Sequence, residues 1–151
     1  YCLLMLIMLL SCMKYKYSGI YDFSKTSKKL TKRPIVDIEL CNGVESIKGV
    51  ALIDSGADKS LFNLEYAKAV KINLTHARRE DFVGISGGKI PCYVVEIEIK
   101  IKNIDKKYKI EAGFIESETV NILLGQVGFF DQNRIRFEKD HDTFEIIPVK
   151  K

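Results

Sequence analysis

The sequence predicts a mostly β fold with two short helices. Apolar and charged residues alternate strictly from Val95 to Lys102, which is the period-two pattern of a half-buried strand. The same alternation runs from Val36 to Leu40 and from Tyr108 to Phe114. With 151 residues, of which 46% are hydrophobic and 29% charged, the chain has the length and composition of one globular domain with a sizeable core.

Further elements are predicted from the same pattern and from turn and capping residues. Asn42-Gly43 marks a turn, and Asn63 is a suitable N-cap for the first short helix. The strand before Leu124 is expected to be buried on both faces. In chain order the remaining predicted elements are a strand from Ile47 to Ile53, a helix from Leu64 to Val70, a long hairpin from Phe82 to Ile101, a strand from Val120 to Leu124, a helix from Gln126 to Gln132, and a hairpin of Ile135–Phe137 with Phe144–Ile146.

The most informative stretch of the chain runs from Ala51 to Asp58. An apolar strand ends in the acid Asp54, and Ser55, Gly56 and Ala57 follow at once. Glycine tolerates a sharp turn because it lacks a Cβ, the hydroxyl of the serine can fix the loop, and the alanine leaves space for a second backbone. A carboxylate held in this way is suited to acid–base chemistry if a second carboxylate lies beside it.

Three elements together resemble the retropepsin-like, or retroviral-type, aspartic peptidases. Asp54-Ser55-Gly56-Ala57 matches the family's Asp-Ser/Thr-Gly-Ala sequence, and Lys59–Phe62 continues the pattern. Asn121–Gly125 resembles the apolar-apolar-Gly element of the family's psi-shaped core, and Val83–Lys89 is a Gly-rich hairpin tip where the family has its flap. The resemblance covers roughly Pro34 to Pro148. It implies a closed, barrel-like retropepsin (acid protease) fold with one lobe per chain.

The resemblance further implies an aspartic endopeptidase that acts on a peptide or protein substrate without a cofactor. This chemistry needs two carboxylates that share one proton, so that one activates a water and the other hydrogen-bonds the peptide carbonyl. The chain has a single Asp-Ser/Thr-Gly sequence and half the length of a two-lobed, pepsin-like enzyme. The second carboxylate must then be Asp54 of a second chain, which makes a homodimer a condition of catalysis.

Roles for the site residues follow from their positions in the family's motifs. Asp54 resembles the catalytic acid, and Ser55 the hydroxyl that hydrogen-bonds across the dimer. The backbone carbonyl of Gly56 and the carboxylate of Asp58 correspond to groups that meet the substrate main chain. The remaining expected substrate-binding residues are Ile85, Ser86, Gly87 and Gly88 in the flap, and Leu124 and Gly125.

One residue departs from the family's pattern. Many members carry arginine directly after the apolar-apolar-Gly element, where it can pair with the acid at the position of Asp58. This chain has Gln126 there. The ion pair is therefore lost, although a neutral amide can still donate a hydrogen bond.

The charge is divided unevenly along the chain, and this division separates a leader, residues 1–33, from the predicted peptidase domain, residues 34–148. The leader carries seven Lys/Arg and one acid, whereas the rest carries 17 basic and 19 acidic residues. A nucleic-acid-binding domain would carry its basic patch on the folded part, so we expect no nucleic-acid partner. Residues 13–33 are polar and rich in Lys and Ser, which predicts poor order.

Residues 1–12 allow two interpretations. The apolar run Tyr1–Leu10 is too short to span a bilayer, but Leu9-Leu10-Ser11-Cys12 resembles a bacterial lipoprotein box. A truncated lipoprotein signal would make the protein exported or membrane-anchored, with membrane association only through the leader. Alternatively, Met13 is the true start and the protein is cytoplasmic.

Cysteine and histidine spacing matches no metal-binding pattern, so no metal is expected. Cys41 and Cys92 are predicted to be buried free thiols, with a disulfide between them as the other possibility. His76 and His141 are predicted to lie in a loop and a turn. The rival functions are a non-catalytic dimeric peptide-binding module of the same fold and a scaffold anchored through the leader.

Overall fold

The structure is a computed structural model that describes residues 12–21, 30–83 and 87–150. These ranges contain twelve strands, one short α-helix and two single turns of 3-10 helix. The strands are β1 Met13–Lys16, β2 Ser18–Tyr21, β3 Leu30–Arg33, β4 Ile35–Asn42, β5 Glu45–Ile53, β6 Ser60–Asn63, β7 Arg78–Val83, β8 Lys89–Ile101, β9 Lys107–Ile115, β10 Ile122–Leu124, β11 Asn133–Glu138 and β12 Thr143–Pro148; the helix α1 is Leu64–Ala69, and the 3-10 turns are Phe130–Gln132 and Lys139–His141.

Six strands close into a barrel, as the resemblance implied. Their order is β4-β5-β10-β6-β9-β8, and β8 returns to pair with β4, where Leu40 lies opposite Ile99. Strand β7 adds to the outer edge of β8. The alternation that predicted β4 and β8 sends every second side chain inward, because successive residues of a strand point to opposite faces. The mostly β, closed-barrel prediction is therefore confirmed.

Large apolar side chains fill the barrel. Phe62 and Phe114 are fully buried, with ring centroids 5.6 Å apart. The fully buried Tyr108 donates its hydroxyl to Oδ1 of Asn133 at 2.8 Å, so its polar tip is paired. Burial raises the pKa of Tyr108 to about 12. This core provides the rigid support for the loops at the barrel's edge.

The first short helix is confirmed and the second is wrong. Asn63 caps α1 by accepting a hydrogen bond from the N–H of Glu65 at 3.1 Å. Where a helix was predicted from Gln126 to Gln132, the chain forms a single 3-10 turn, Phe130–Gln132. Gly128 has a φ of 90°, a conformation that no α-helix contains, and it interrupts the expected helix.

The poor order expected for residues 13–33 is wrong for 13–21 and 30–33, and residues 22–29 lie outside the described ranges. Strand β1 pairs antiparallel with β12. The ring of Tyr15 stacks on Phe144 with centroids 5.3 Å apart, and Tyr17 meets the same ring edge-on at 5.8 Å. Tyr15 and Tyr17 thus give this segment an apolar surface that packs against Phe144, although residues 13–33 as a whole are polar.

The cysteines and histidines are placed as follows. Cys41 and Cys92 are free thiols, of which Cys92 is buried and Cys41 half-buried. His76 lies in a loop and His141 in the turn between β11 and β12, as predicted. The apolar run Tyr1–Leu10 lies outside the described residues. Within the described ranges, no helix is long and apolar enough to cross a membrane.

Replacing Tyr15 by alanine tests whether β1 stabilises the fold. The variant loses the ring contact with Phe144 and the hydrogen bond from the tyrosine hydroxyl to the carbonyl of Lys102, which is 2.6 Å long. We expect the free energy of unfolding to fall by about 2 kcal/mol. Tyr15→Phe keeps the ring and should lose about 1 kcal/mol. Urea unfolding measures both, and an unchanged Tyr15→Ala variant would contradict a stabilising role for β1.

Candidate active site

The position of Asp54 is fixed by two parallel strands. The last residues of β5, Leu52 and Ile53, lie beside Leu123 and Leu124 of β10. Asp54 follows directly, and its N–H donates to the carbonyl of Leu124 at 3.0 Å. The acid is therefore held at the end of a strand that is paired on both sides.

A tight turn orients the Asp54 carboxylate. Its Oδ1 accepts a hydrogen bond from the N–H of Gly56 at 2.9 Å, and its carbonyl accepts one from Ala57 at 3.2 Å. A Cβ at Gly56 would lie 3.3 Å from the same Oδ1, which leaves little room for a side chain. Asp54 is half-buried, whereas Ser55 and Gly56 are exposed. The loop thus offers its carboxylate and its outer surface to a ligand or a second chain.

Gly125 passes directly beneath this loop. A Cβ there would lie 2.5 Å from the carbonyl oxygen of Lys59 and 2.6 Å from that of Ala57, so only glycine fits. The N–H of Gly125 donates to the hydroxyl of Ser60 at 3.1 Å, and that serine is completely buried. This close approach joins the end of β10 to the loop that carries Asp54.

Gln126 and its neighbour extend the same support. The N–H of Gln126 donates to the carbonyl of Ala57 at 2.8 Å, and the N–H of Val127 donates to that of Asp58 at 2.9 Å. The side-chain amide of Gln126 donates to the carbonyl of Ser55 at 2.7 Å. Gln126 therefore holds the loop by hydrogen bonds from both its backbone and its side chain to carbonyls of the loop.

A cleft of about 500 Å³ opens beside Asp54. The cleft lies between the loop that begins at Asp54 and strand β7. Its apolar lining is Ala57, Leu61, Phe82, Val83, Cys92 and Leu123, and its remaining lining is Asp54, Gly56, Asp58, Lys59, Glu80 and Asp81.

The structure brings Asp54, Gly56, Ala57 and Asp58 together at this cleft, as the sequence suggested. The prediction is wrong for Leu124, which is completely buried in the barrel core, because successive side chains of β10 point to opposite faces. The cleft is lined by its neighbour Leu123 instead.

Gly125, the other residue predicted to bind substrate from this part of the chain, is also buried and lies against the backbone carbonyls of Ala57 and Lys59. In the flap, Ile85 and Ser86 lie outside the described residues. Gly87, with a φ of 76°, and Gly88 lie between β7 and β8 and are not among the described residues that line the cleft.

Sequence reasoning missed an ion pair across the cleft. Lys59, two residues before the buried Leu61, pairs with Glu80 of β7, and Nε of Arg78 donates to the same carboxylate at 2.9 Å. These two cations hold the pKa of the Glu80 carboxyl below its usual value. The resulting stabilisation is present at neutral pH and is lost as the pH falls through the lowered pKa. No local sequence signal links these residues, because their proximity arises from the fold.

Cys92 contributes a thiol to the cleft. Burial and the nearby Glu80 carboxylate raise its pKa, which favours the protonated, unreactive form. Among residues 12–21, 30–83 and 87–150, no group of three or more His, Cys, Asp or Glu side chains could hold a metal ion.

Solved structures of aspartic proteases share this architecture. A retropepsin-like aspartic protease from Rickettsia conorii matches 89% of this chain and 97% of its own, with a TM-score of 0.61 and 15% identity. This chain has a retropepsin-like fold. The retroviral protease-like domain of Ddi1 from Leishmania major has the same retropepsin-like architecture over 77% of this chain and 94% of its own, with a TM-score of 0.51 and 13% identity.

EIAV protease, solved in complex with the inhibitor HBY-793, matches 71% of this chain and 88% of its own, with a TM-score of 0.47 and 19% identity. No protein-family model and no curated protein matches the sequence. At these identities the likeness extends to the retropepsin-like fold, and activity has to be argued from the site.

Replacing Ser60 by alanine tests the support beneath the loop. The N–H of Gly125 would lose its partner in a buried position, so we expect the free energy of unfolding to fall by about 1–3 kcal/mol. Ser46→Ala, at an exposed serine, should change it by no more than about 0.5 kcal/mol. Chemical denaturation compares the two, and equal effects would show that the buried hydroxyl is not a special support.

Proposed function

We propose that the protein is an aspartic endopeptidase whose active unit is a homodimer. Two Asp54 carboxylates, one from each chain, would activate a water that attacks the peptide bond. The observation that carries this proposal is the Asp54 carboxylate, which is fixed at the cleft by the N–H of Gly56 in a retropepsin-like fold. Geometry of this kind is what acid–base catalysis requires of its carboxylates.

The reaction divides between the two carboxylates of the pair. Two like charges about 3 Å apart cannot both ionise, so the pair retains one proton. The ionised Asp54 takes a proton from the attacking water, while the protonated Asp54 donates a hydrogen bond to the carbonyl oxygen of the substrate. The leaving amine then receives a proton from the pair, and the peptide bond breaks.

Two of the three other acids of the cleft lie beside cations, and the third, Asp58, is assigned to the substrate main chain. Glu80 is paired with Lys59 and Arg78, and Asp81 lies 3.9 Å from the ammonium of Lys89. These carboxylates are balanced by cations and belong to β7. A two-fold axis close to Ser55, which is exposed beside Asp54, would instead bring two equivalent acids together.

The cleft supports a peptide or protein substrate. Leu61, Phe82 and Leu123 offer apolar surface for a side chain next to the scissile bond. The backbone carbonyl of Gly56 and the carboxylate of Asp58 would meet the substrate main chain. We further propose that the flap between β7 and β8 closes over the bound chain, with the left-handed Gly87 allowing the bend.

Asp54→Asn tests the catalytic role directly. The amide keeps the shape of the side chain but cannot take a proton from water, so we expect peptide cleavage to be lost. Asp140→Asn, at an exposed acid that does not line the cleft, is the matched control and should retain full activity. Cleavage of a peptide library measures both, and cleavage by Asp54→Asn would refute the proposal. Peptide binding without turnover by the wild-type protein would favour the binding-module alternative.

Activity should also depend on protein concentration and on pH. Dilution separates the dimer, so specific activity should fall as the monomer accumulates. The pH profile should be bell-shaped, because the pair must carry one proton. Activity assays paired with ultracentrifugation check the first expectation, and full activity in a proven monomer would exclude a shared site.

A further inference from the structure

We infer that Lys59 and Glu80 are positioning residues that set the affinity for substrate. Their ion pair ties residues 54–59, here named the catalytic loop, to the flap strand β7. The inference rests on the proposed peptidase function. Neither side chain is assigned to the reacting atoms. Their role would be to hold together the two sides of the cleft between which a substrate must fit.

The backbone of Lys59 is fixed to the core of the site. It forms a parallel bridge with Val127, and its carbonyl oxygen lies against Gly125, where a Cβ would come within 2.5 Å. The following residue, Ser60, is completely buried. The backbone of Lys59 is therefore held in place together with the catalytic loop. An interaction of the lysine side chain restrains that loop as well.

Glu80 is fixed from the other side of the cleft. It lies on β7 two residues before Phe82, so both side chains occupy the same face of the strand and both line the cleft. Arg78 binds Glu80 at 2.9 Å and also donates to Glu111 of β9 at 2.7 Å. This network spans β8 and holds β7 against the barrel.

The Lys59–Glu80 ion pair connects the catalytic loop, which holds Lys59, to strand β7, which holds Glu80. It joins residues 21 positions apart in the sequence, and both residues line the cleft beside Asp58 and Asp81. Without the pair, β7 would remain attached to the sheet through β8, but the gap between β7 and the catalytic loop would vary more. Substrate binding would then have to fix the distance between β7 and the loop, and the entropy lost in doing so would weaken the affinity.

The pair is also open to solvent. The side chains of Lys59 and Glu80 are 40% and 32% exposed, so dissolved salt can screen their attraction. Salt would therefore loosen the flap strand without touching the Asp54 carboxylate. This property distinguishes an electrostatic positioning device from simple packing, which salt does not weaken.

Charge reversal and charge exchange test the inference. Lys59→Glu and Glu80→Lys each place like charges across the cleft, and we expect either to raise KM about fivefold with kcat changed less than about twofold. The double variant with the exchanged charges should recover part of the wild-type KM relative to Glu80→Lys alone, since the new lysine again faces a carboxylate but still lies beside Arg78. Lys48→Glu, at an exposed lysine of β5 that does not line the cleft, is the control and should leave both constants unchanged.

A salt titration with an uncharged peptide supplies a second readout. The wild-type KM should rise with salt, whereas that of the neutral variant Glu80→Gln should start higher and stay constant. Glu80→Gln keeps the size of the side chain and so remains informative if a charge-reversed variant fails to fold. This inference alone is overturned if the wild-type enzyme is active and these substitutions leave KM unchanged. It is also overturned if the double variant shows no recovery of KM. Absence of cleavage by the wild-type protein would overturn the proposed function and this inference with it.

Discussion

The candidate site depends on the contact between Gly125 and the loop above it, residues 54–59. The backbone of Gly125 lies so close to the carbonyls of Ala57 and Lys59 that no side chain can be added, and its N–H is bound by the buried Ser60. Hydrogen bonds from Gln126 and Val127 continue the contact. Because this support comes from a strand held between β5 and β6, the position of Asp54 is set by the barrel itself.

Patterns within short stretches of sequence predicted much of the fold. The strict alternation before Ile101 gave β8, and Asn63 marked the start of α1. The second helix failed because Gly128 adopts a positive φ that the sequence pattern does not reveal. Strand β1 was missed although Met13–Lys16 alternates apolar and charged residues, because the Lys- and Ser-rich composition of residues 13–33 predicts poor order. Its partner β12 lies at the other end of the chain, so no local sequence signal indicates the pairing.

The candidate site was likewise predictable only where its residues are contiguous in the sequence. The loop around Asp54 is contiguous, so its motif could be recognised from residues alone. Leu124 was expected in the cleft although Leu123 lies there, because a strand of three apolar residues does not show which side faces inward. The ion pair of Lys59 with Glu80 has no contiguous signal at all. The cleft thus combines the Asp54 motif, which is local in sequence, with walls that only the folded chain assembles.

In the proposed function two copies of the chain share one active site, and subunit mixing tests this sharing most directly. Wild-type protein would be unfolded and refolded together with a growing excess of Asp54→Asn protein, and peptide cleavage measured at a fixed amount of wild type. A shared pair predicts that cleavage falls toward zero, because nearly every wild-type chain is then paired with an inactive one. Activity that stays constant whatever the excess would contradict the account.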